Sequence, residues 1–176
     1  IKNYVEPRLE SEFHDSSFGY RPIRSAHQAL SCVRDNVRKY AWVIDLDITA
    51  FFDNVDHKKM LLALDRHVEE RWIKMYITRW LEAPIAKANG ELVEKQGKGT
   101  PQGGVISPLL ANLYLHYTFD KWMDIQFPDL AFVRYADDII IHCKSENQSK
   151  YVLEKLQRRL HECNLSIQAE KTSIVY

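Results

Sequence analysis

The sequence has 176 residues, enough for one ordinary domain and short for two. Apolar residues make up 45% and charged residues 27%, a composition that indicates a globular chain and excludes a disordered one. The net charge is zero, so charge alone gives no argument for nucleic-acid binding. No apolar run approaches the roughly 18 residues that span a membrane, so we expect no membrane partner. Three widely spaced cysteines predict reduced thiols and a cytoplasmic, intracellular location.

The first half of the chain predicts a helix, a strand, two further helices and a hairpin. Residues 24–39 form the first helix, and residues 41–48 alternate in polarity like a half-buried strand. On that strand Asp45 and Asp47 share the face opposite the apolar one. The apolar stripe of the helix consists of Ala26, Leu30, Val33 and Val37. The elements that follow are a helix over 57–69, with Asp53 and Asp56 as turn and N-cap candidates, a helix over 71–81, and a hairpin over 85–95 that turns at Asn89-Gly90.

The second half begins with a glycine-rich loop over 97–104. Ser107-Pro108 then predicts a helix start, with serine as the N-cap and proline at the first helical position. We expect that helix to run to about Ile125. The remaining predicted elements are strands over 131–135 and 139–144, a helix over 145–163 with the capping-box pair Ser145 and Gln148, and a strand over 173–176.

From residue 41 onward, with the region 57–96 set aside, the predicted order is strand, helix, strand, strand, helix, strand. That order is typical of the split βαβ, ferredoxin-like pattern of an α+β fold. In such a sheet the third strand lies between the first two and is antiparallel to both. The end of the first strand then meets the turn between the second and third strands. Asp47 is therefore expected beside Asp137 and Asp138.

Three carboxylates at one edge of a sheet repel one another unless cations lie between them. Their hard oxygen atoms suit Mg²⁺ or Mn²⁺, and two such ions about 3.5–4 Å apart can activate a hydroxyl and stabilise a leaving phosphate. An Asp-Asp pair in a hairpin is by itself ordinary turn chemistry. The hypothesis of a metal site therefore depends on the presence of Asp47 beside this pair. No nucleophile elbow and no phosphate-binding P-loop is present in the sequence, which argues against acyl transfer and P-loop chemistry.

Five segments of the sequence have a familiar form. They are residues 17–22, 47–53, 99–109, 135–138 and 165–175. The fourth reads Tyr135-Ala136-Asp137-Asp138, and the third contains Pro101-Gln102-Gly103. In this order they are similar to motifs of the reverse transcriptases encoded by bacterial group II introns, a family that includes intron-encoded maturases.

The resemblance implies a polymerase palm over residues 41–176, with a helical and hairpin insertion over 57–96, and a partial helical fingers segment over 1–40. It implies an RNA-directed DNA polymerase that transfers nucleotides to a primer 3′-hydroxyl. The cofactor implied is a pair of Mg²⁺ ions, which Mn²⁺ can replace. The partners implied are an RNA template, a DNA primer, dNTP and intron RNA.

The resemblance also implies roles for individual residues. Asp47, Asp137 and Asp138, with the carbonyl of Ile48, would hold the two metal ions. The remaining assignments are Phe52 as the ring that excludes a 2′-hydroxyl, Gln102 and Gly103 against the nascent base pair, Tyr135 near the primer end, Lys171 near the triphosphate, and Arg21 on template or nucleotide. For each residue in this second group an ordinary structural role stays open.

Upstream fingers motifs and the downstream primer grip and thumb are absent from the sequence, which does not begin with Met. We therefore expect a fragment of a longer protein that is weakly active or inactive alone. Robust primer extension by the 176-residue chain would contradict this expectation.

Two other classes of function are open. One is a maturase-type module that binds intron RNA and assists splicing. The other is a different palm enzyme, but Phe52 and the Pro-Gln-Gly loop disfavour an RNA-dependent RNA polymerase, and a nucleotide cyclase would need a Gly-Gly-acid turn.

Basic residues of the insertion are candidates for contact with a duplex, although solvated faces are as compatible; they are Arg71, Lys74, Arg79, Lys87, Lys95 and Lys98. The histidines have no ligand spacing, which predicts surface or capping roles.

Overall fold

The computed structural model describes residues 1–86, 90, 92–101 and 103–176, without the side chains of residues 85 and 86. The assignments made to Gln102 and Lys87, and the Asn89 half of the predicted hairpin turn, lie outside the described residues.

The described residues form helices joined to a small sheet. The helices are α1 (Lys2–Glu10), α2 (Ala26–Val37), α3 (Phe51–Asn54), α4 (His57–Asp65), α5 (Arg71–Glu82), α6 (Ser107–Leu115), α7 (Lys121–Gln126) and α8 (Glu146–Glu162). A π-helical turn, His116–Asp120, joins α6 to α7. The strands are β1 (Trp42–Leu46), β2 (Ile85–Ala86), β3 (Leu92–Val93), β4 (Phe132–Tyr135), β5 (Asp138–Cys143) and β6 (Ser173–Val175). No helix in the described ranges is long and apolar enough to cross a bilayer.

Four strands form the main sheet, in the order β4-β5-β1-β6, and each neighbouring pair is antiparallel. Strand β5 thus lies between β1 and β4, which confirms the predicted ferredoxin-like topology. The register pairs Leu46 with Ile139 and Tyr135 with Asp138. Strands β2 and β3 pair separately as the arms of the predicted hairpin.

The two faces of the sheet are covered differently. Ile44 and Leu46 of β1, with Ile139 and Ile141 of β5, face the main hydrophobic core, where α8 packs on both strands. The alternate face of β4 and β5 is covered by α2. This two-sided cover follows from the alternation of side chains along a strand.

The packing face of α2 differs from the predicted stripe. Ala29 is buried and Val33 packs beside it, whereas Leu30 and Val37 are exposed. The helix approaches the sheet through the small Ala29 side chain, against Val133. The apolar spacing was correct for a helix, but it does not reveal which side of the helix meets a partner.

Capping residues determine several helix starts. Ser25 and Gln28 form a capping box at α2, although the sequence had singled out only the later pair Ser145 and Gln148. Ser145 caps α8 by accepting a hydrogen bond from the Gln148 amide. Asp56 caps α4 as predicted, through the Lys59 amide.

The predicted helix from Ser107 to Ile125 is corrected in two respects. Ser107 is the first helical residue and not the N-cap. Its hydroxyl oxygen lies 2.6 Å from the Pro101 carbonyl oxygen and donates a hydrogen bond to it, so the side chain closes the preceding loop and does not cap the helix. Pro108 is therefore at the second helical position. The helix is also interrupted by the π-helical turn, which hydrophobic spacing alone does not predict.

The expectation that the histidines lie at the surface is wrong for three of them. His57, His116 and His142 are buried. His142 is fully buried in β5, and neither of its ring nitrogens has a hydrogen-bond partner among the described residues. Burial lowers the pKa of His142 from 6.5 to about 4, because an imidazolium there would lose its hydration.

This buried imidazole predicts a pH-dependent stability. The unfolded chain takes up a proton on His142 near pH 6.5, and the folded chain does so only near pH 4. The free energy of unfolding should therefore fall as the pH drops through this window, by up to ~3 kcal/mol. Urea unfolding at a series of pH values measures the effect. His142→Leu should flatten the curve, and the exposed control His27→Leu should leave it unchanged. Equal slopes for wild type and His142→Leu would contradict the prediction.

Candidate active site

Three aspartates meet at one end of the main sheet. Asp47 directly follows β1, Asp137 lies in the turn between β4 and β5, and Asp138 begins β5. Because Leu46 pairs with Ile139, the next residue of β1 runs toward Asp138. The structure thus brings together the three aspartates that the topology predicted to be neighbours.

The electrostatics of the site reflect this proximity. The pKa of Asp137 is raised, chiefly by burial and also by the negative charge of Asp47. The pKa of Asp138 is raised by burial and by the charges of Asp137, Asp47 and Asp45. A raised carboxyl pKa means that the fold disfavours the charged form. The site therefore favours any cation that can reach it.

One cation already does so. Lys171 Nζ lies 2.6 Å from Asp47 Oδ2, and the pKa of Lys171 is raised by this hydrogen bond and charge. The Lys171 side chain is 69% exposed and Asp47 is 18% exposed. The ammonium therefore reaches the cluster from the solvent side on a flexible stem.

Backbone hydrogen bonds hold the segment that carries Lys171 against the end of β1. The amide of Gln168 donates to the carbonyl of Asp47, and the amide of Thr49 donates to the carbonyl of Ser166, both at 2.8 Å. These bonds flank Ile48 and do not use its carbonyl. The amide of Lys171 then donates to the Gln168 carbonyl, which closes a turn at the cluster.

The donor chemistry of the cluster suits a hard divalent cation, because its atoms are carboxylate oxygens. In the described residues, however, no three Asp, Glu, His or Cys side chains are arranged to enclose a metal ion. The Lys171 ammonium, paired with Asp47, supplies positive charge at the same place. Asp47, Asp137 and Asp138 could hold a metal ion if Lys171 withdraws and their side chains turn inward.

Phe52 lies five residues after Asp47, on the short helix α3. Ala50, the residue that starts this helix, has a left-handed backbone with φ 41°, which turns the chain sharply after β1. The Phe52 ring is half-buried and packs edge-on against the Tyr20 ring, with the two ring centroids 6.4 Å apart. Its carbonyl accepts a hydrogen bond from the Thr100 amide at 2.7 Å. The glycine-rich loop is thus attached to the helix that carries Phe52.

The loop itself is shaped by Pro101. The Pro101 carbonyl accepts from Ser107 Oγ and from the amide of Gly104, so the backbone doubles back around Gly103. Gly103 is exposed and has φ 76°, a conformation that glycine adopts without strain. A partner could therefore approach this backbone closely.

Tyr135 is the last residue of β4 and is 39% exposed, on the same face of the sheet as Val133. It is adjacent in sequence to the turn that holds Asp137. Tyr135 is the register partner of Asp138, and its ring is accessible from solvent.

Arg21 requires a correction. Its side chain is 8% exposed, and its nitrogens donate to Glu10 and to the carbonyls of His14 and Ser17. The guanidinium is thus engaged inside the protein and holds the loop before α2. The contact with template or nucleotide expected from its sequence position has no support in this geometry.

Sequence reasoning missed a buried polar network beneath the aspartate turn. Arg134 and Asp120 are both fully buried and form a two-pronged ion pair. Asn112 is the third member. A signal was present, because Arg134 alternates with Val133 and falls on the core face of β4. A charged residue at a core position of a strand indicates a buried partner.

Comparison with known proteins agrees with this fold. The family model described as "Reverse transcriptase (RNA-dependent DNA polymerase)" matches residues 1–176. Protein YkfC of Escherichia coli K12 is 29% identical over 207 residues, covering 97% of this chain and 54% of the relative. The group II intron-encoded protein LtrA of Lactococcus lactis is 35% identical over 123 residues, covering 70% of this chain and 20% of LtrA. The mitochondrial nuclear intron maturase 2 of Arabidopsis thaliana is 26% identical over 183 residues, covering 82% of this chain and 24% of the maturase.

Solved structures show the same fold. A telomerase of Candida albicans in complex with a fragment of telomeric RNA superposes with a TM-score of 0.73. The match covers 98% of this chain and 33% of the telomerase, at 13% identity. The chain spans about half of YkfC and a fifth of LtrA. With a family model that matches its whole length, the chain belongs to the reverse transcriptase (RNA-dependent DNA polymerase) family.

Proposed function

We propose that this chain is the catalytic palm of an RNA-directed DNA polymerase of the group II intron type. The observation that carries the proposal is the convergence of Asp47, Asp137 and Asp138 at one end of the sheet, where burial and mutual repulsion raise the pKa of two of them. The substrates in this proposal are an RNA template, a DNA primer and dNTP. Asp47, Asp137, Asp138 and the Ile48 carbonyl are the proposed ligands of two Mg²⁺ ions.

The reaction is an in-line displacement in which the primer 3′-hydroxyl loses its proton to solvent, its oxygen bonds to the α-phosphorus, and the bond to the leaving pyrophosphate breaks. Bound divalent ions supply the positive charge that stabilises the attacking and leaving oxygens. The protein holds the three carboxylates ready in one place. With metal ions bound, Asp47 would no longer need Lys171 as its partner, and the Lys171 ammonium would be free to approach the triphosphate.

Specificity comes from the groups around the carboxylates. The Phe52 ring fills the space beside the sugar, so a 2′-hydroxyl has no room. Gly103 and Gln102 are the proposed contacts to the nascent base pair, and Tyr135 is the proposed support of the primer end. Sequence is read by base pairing, while the protein contributes shape and phosphate contacts. On α5, Arg71 and Arg79 are exposed and suited to phosphate contact.

Removing the charge of Asp47 tests, without any ligand, whether the three carboxylates lie close enough to interact. Asp47→Asn should lower the pKa of both Asp137 and Asp138, because a repelling charge is lost and Lys171 is released toward them. Carboxyl ¹³C NMR titration measures this. The control is Asp35→Asn on α2, where an exposed carboxylate is removed. If the pKa values of Asp137 and Asp138 rise or stay constant in Asp47→Asn, the carboxylates are not coupled.

Metal binding tests the proposed function directly. The double variant Asp137→Asn with Asp138→Asn should weaken Mn²⁺ binding at least tenfold, because two anionic ligands become neutral. Calorimetric titration of Mn²⁺ into the 176-residue chain gives the affinity. The same variant placed in the longer protein should lose cDNA synthesis. Unchanged synthesis would exclude these aspartates as the catalytic ligands, whereas Asp35→Asn should behave like wild type in both assays.

The proposed sugar gate makes a separate prediction. Phe52→Val opens space beside the nucleotide sugar, so the ratio of ribonucleotide to deoxyribonucleotide incorporation should rise about tenfold or more. Primer extension with each nucleotide set measures the ratio in the longer protein. Phe127→Val, which trims a half-buried ring packed on Trp122, is the matched control. An unchanged ratio in Phe52→Val would remove Phe52 from the gate.

A second function, assistance to intron splicing, is favoured by the relatives named as intron-encoded protein and intron maturase. The double variant of Asp137 and Asp138 distinguishes cDNA synthesis from splicing assistance. If the double aspartate variant of the longer protein loses cDNA synthesis and still promotes splicing, both functions coexist on one fold. If both are lost, splicing assistance depends on the metal site.

A further inference from the structure

A fully buried ion pair lies directly beneath the aspartate turn. Arg134 Nε and Nη2 donate to the two carboxylate oxygens of Asp120, at 2.8 and 2.6 Å. Both side chains are completely buried. Burial by itself would raise the pKa of Asp120, but the charge and hydrogen bonds of Arg134 lower it. Buried pairs of this kind are often no more stabilising than apolar residues of the same volume. Fold stability alone therefore does not explain why charge is placed here.

The remaining donor of Arg134 reaches the turn itself. Arg134 Nη1 donates to the carbonyl of Ala136 at 2.9 Å and to Asn112 Oδ1 at 3.0 Å. Ala136 directly precedes Asp137 and has a left-handed backbone with φ 56°. A residue other than glycine needs surrounding contacts to hold this conformation. The guanidinium provides one of them, from inside the core.

The opposite side of the turn is held by backbone. Gly19 packs so closely that a Cβ built on it would lie 2.3 Å from the Ala136 nitrogen. Its carbonyl accepts from Asn112 Nδ2 at 2.7 Å, so the same asparagine touches Arg134 and the glycine. The amide of Phe18 donates to the Arg134 carbonyl. The segment before α2 is thereby fixed to the strand that leads into the turn.

The π-helical turn brings the two helical members of this network together. In an uninterrupted α-helix, Asn112 and Asp120 would point about 80° apart, since eight residues exceed two turns of 3.6. The wider turn over His116–Asp120 carries Asp120 round to the side on which Asn112 meets Arg134. Such bulges are frequent where a helix serves a functional site.

We propose that Asn112, Asp120 and Arg134, with the backbone of Gly19, form a buried clamp that positions the Asp137 and Asp138 carboxylates relative to Asp47. The clamp residues are positioning residues, since they act on the aspartates through the Ala136 backbone. The consequence for metal binding rests on the proposed function, whereas the consequence for the geometry of the turn does not.

The sharpest test replaces the ion pair by apolar side chains. Arg134→Met with Asp120→Leu keeps the core filled and leaves no orphan charge. The free energy of unfolding should therefore fall far less than in Arg134→Met alone, although the Ala136 carbonyl and Asn112 Oδ1 each lose a donor. The amides of residues 136–138 should exchange with solvent at least tenfold faster than in wild type. Mn²⁺ binding should weaken at least tenfold. A purely structural role predicts that stability, exchange and Mn²⁺ affinity move together.

A matched control and a second variant complete the design. Ile77→Val trims a fully buried residue of α5 away from the turn, and it should lower stability while leaving Mn²⁺ affinity and exchange at 136–138 unchanged. Gly19→Ala leaves the three buried side chains intact and adds one methyl group against Ala136. It should reproduce the faster exchange and weaker Mn²⁺ binding, and it decides the question if the apolar pair variant does not fold.

The outcomes separate the two proposals. Wild-type exchange at residues 136–138 in either clamp variant would overturn the clamp. Faster exchange together with a wild-type Mn²⁺ affinity that also survives the loss of Asp137 and Asp138 would uphold the clamp and overturn the proposed metal site. Faster exchange with unchanged Mn²⁺ affinity, where that affinity does depend on the two aspartates, would show that the clamp does not position the ligands and would overturn it.

Discussion

Repulsion among three carboxylates is the constraint on which this structure depends. Asp47, Asp137 and Asp138 are held at one end of a sheet, and burial adds to their mutual repulsion by removing water. Such an arrangement costs free energy unless positive charge compensates it. Here the compensation comes from Lys171, on an exposed and flexible side chain. Lys171 thus compensates the negative charge of the cluster from the solvent side, through the ion pair with Asp47.

The rest of the fold holds these charges in place. The antiparallel register of β1 and β5 places Asp47 at the same end of the sheet as Asp138. The hydrogen bond from the Gln168 amide to the Asp47 carbonyl brings the turn that carries Lys171 to the same edge. Beneath the turn, Arg134 holds the Ala136 carbonyl from the core side. The carboxylates are therefore confined by groups on both sides, and the cation side stays open to solvent.

Much of this could be predicted from sequence, for identifiable physical reasons. The alternation of apolar and polar residues in β1 predicted which face of the strand is buried. The order of the elements predicted the sheet topology that brings Asp47 to the turn at residues 136–138. Local patterns fail where a choice depends on distant residues. The spacing in α2 could not show that Ala29, and not Leu30, meets the sheet. The π-helical turn places Asp120 against Arg134, a tertiary contact with no local sequence pattern. The resemblance suggested a ligand contact for Arg21, and no local pattern indicated that its side chain is buried against Glu10.

The most direct test of the central claim is a crystal structure of the chain soaked in Mn²⁺, recorded at the manganese absorption edge. The account predicts two anomalous peaks about 3.5–4 Å apart between Asp47 and the turn at residues 136–138, with Lys171 Nζ withdrawn from Asp47. An intact Lys171–Asp47 ion pair at saturating Mn²⁺, with no manganese at the three carboxylates, would contradict it.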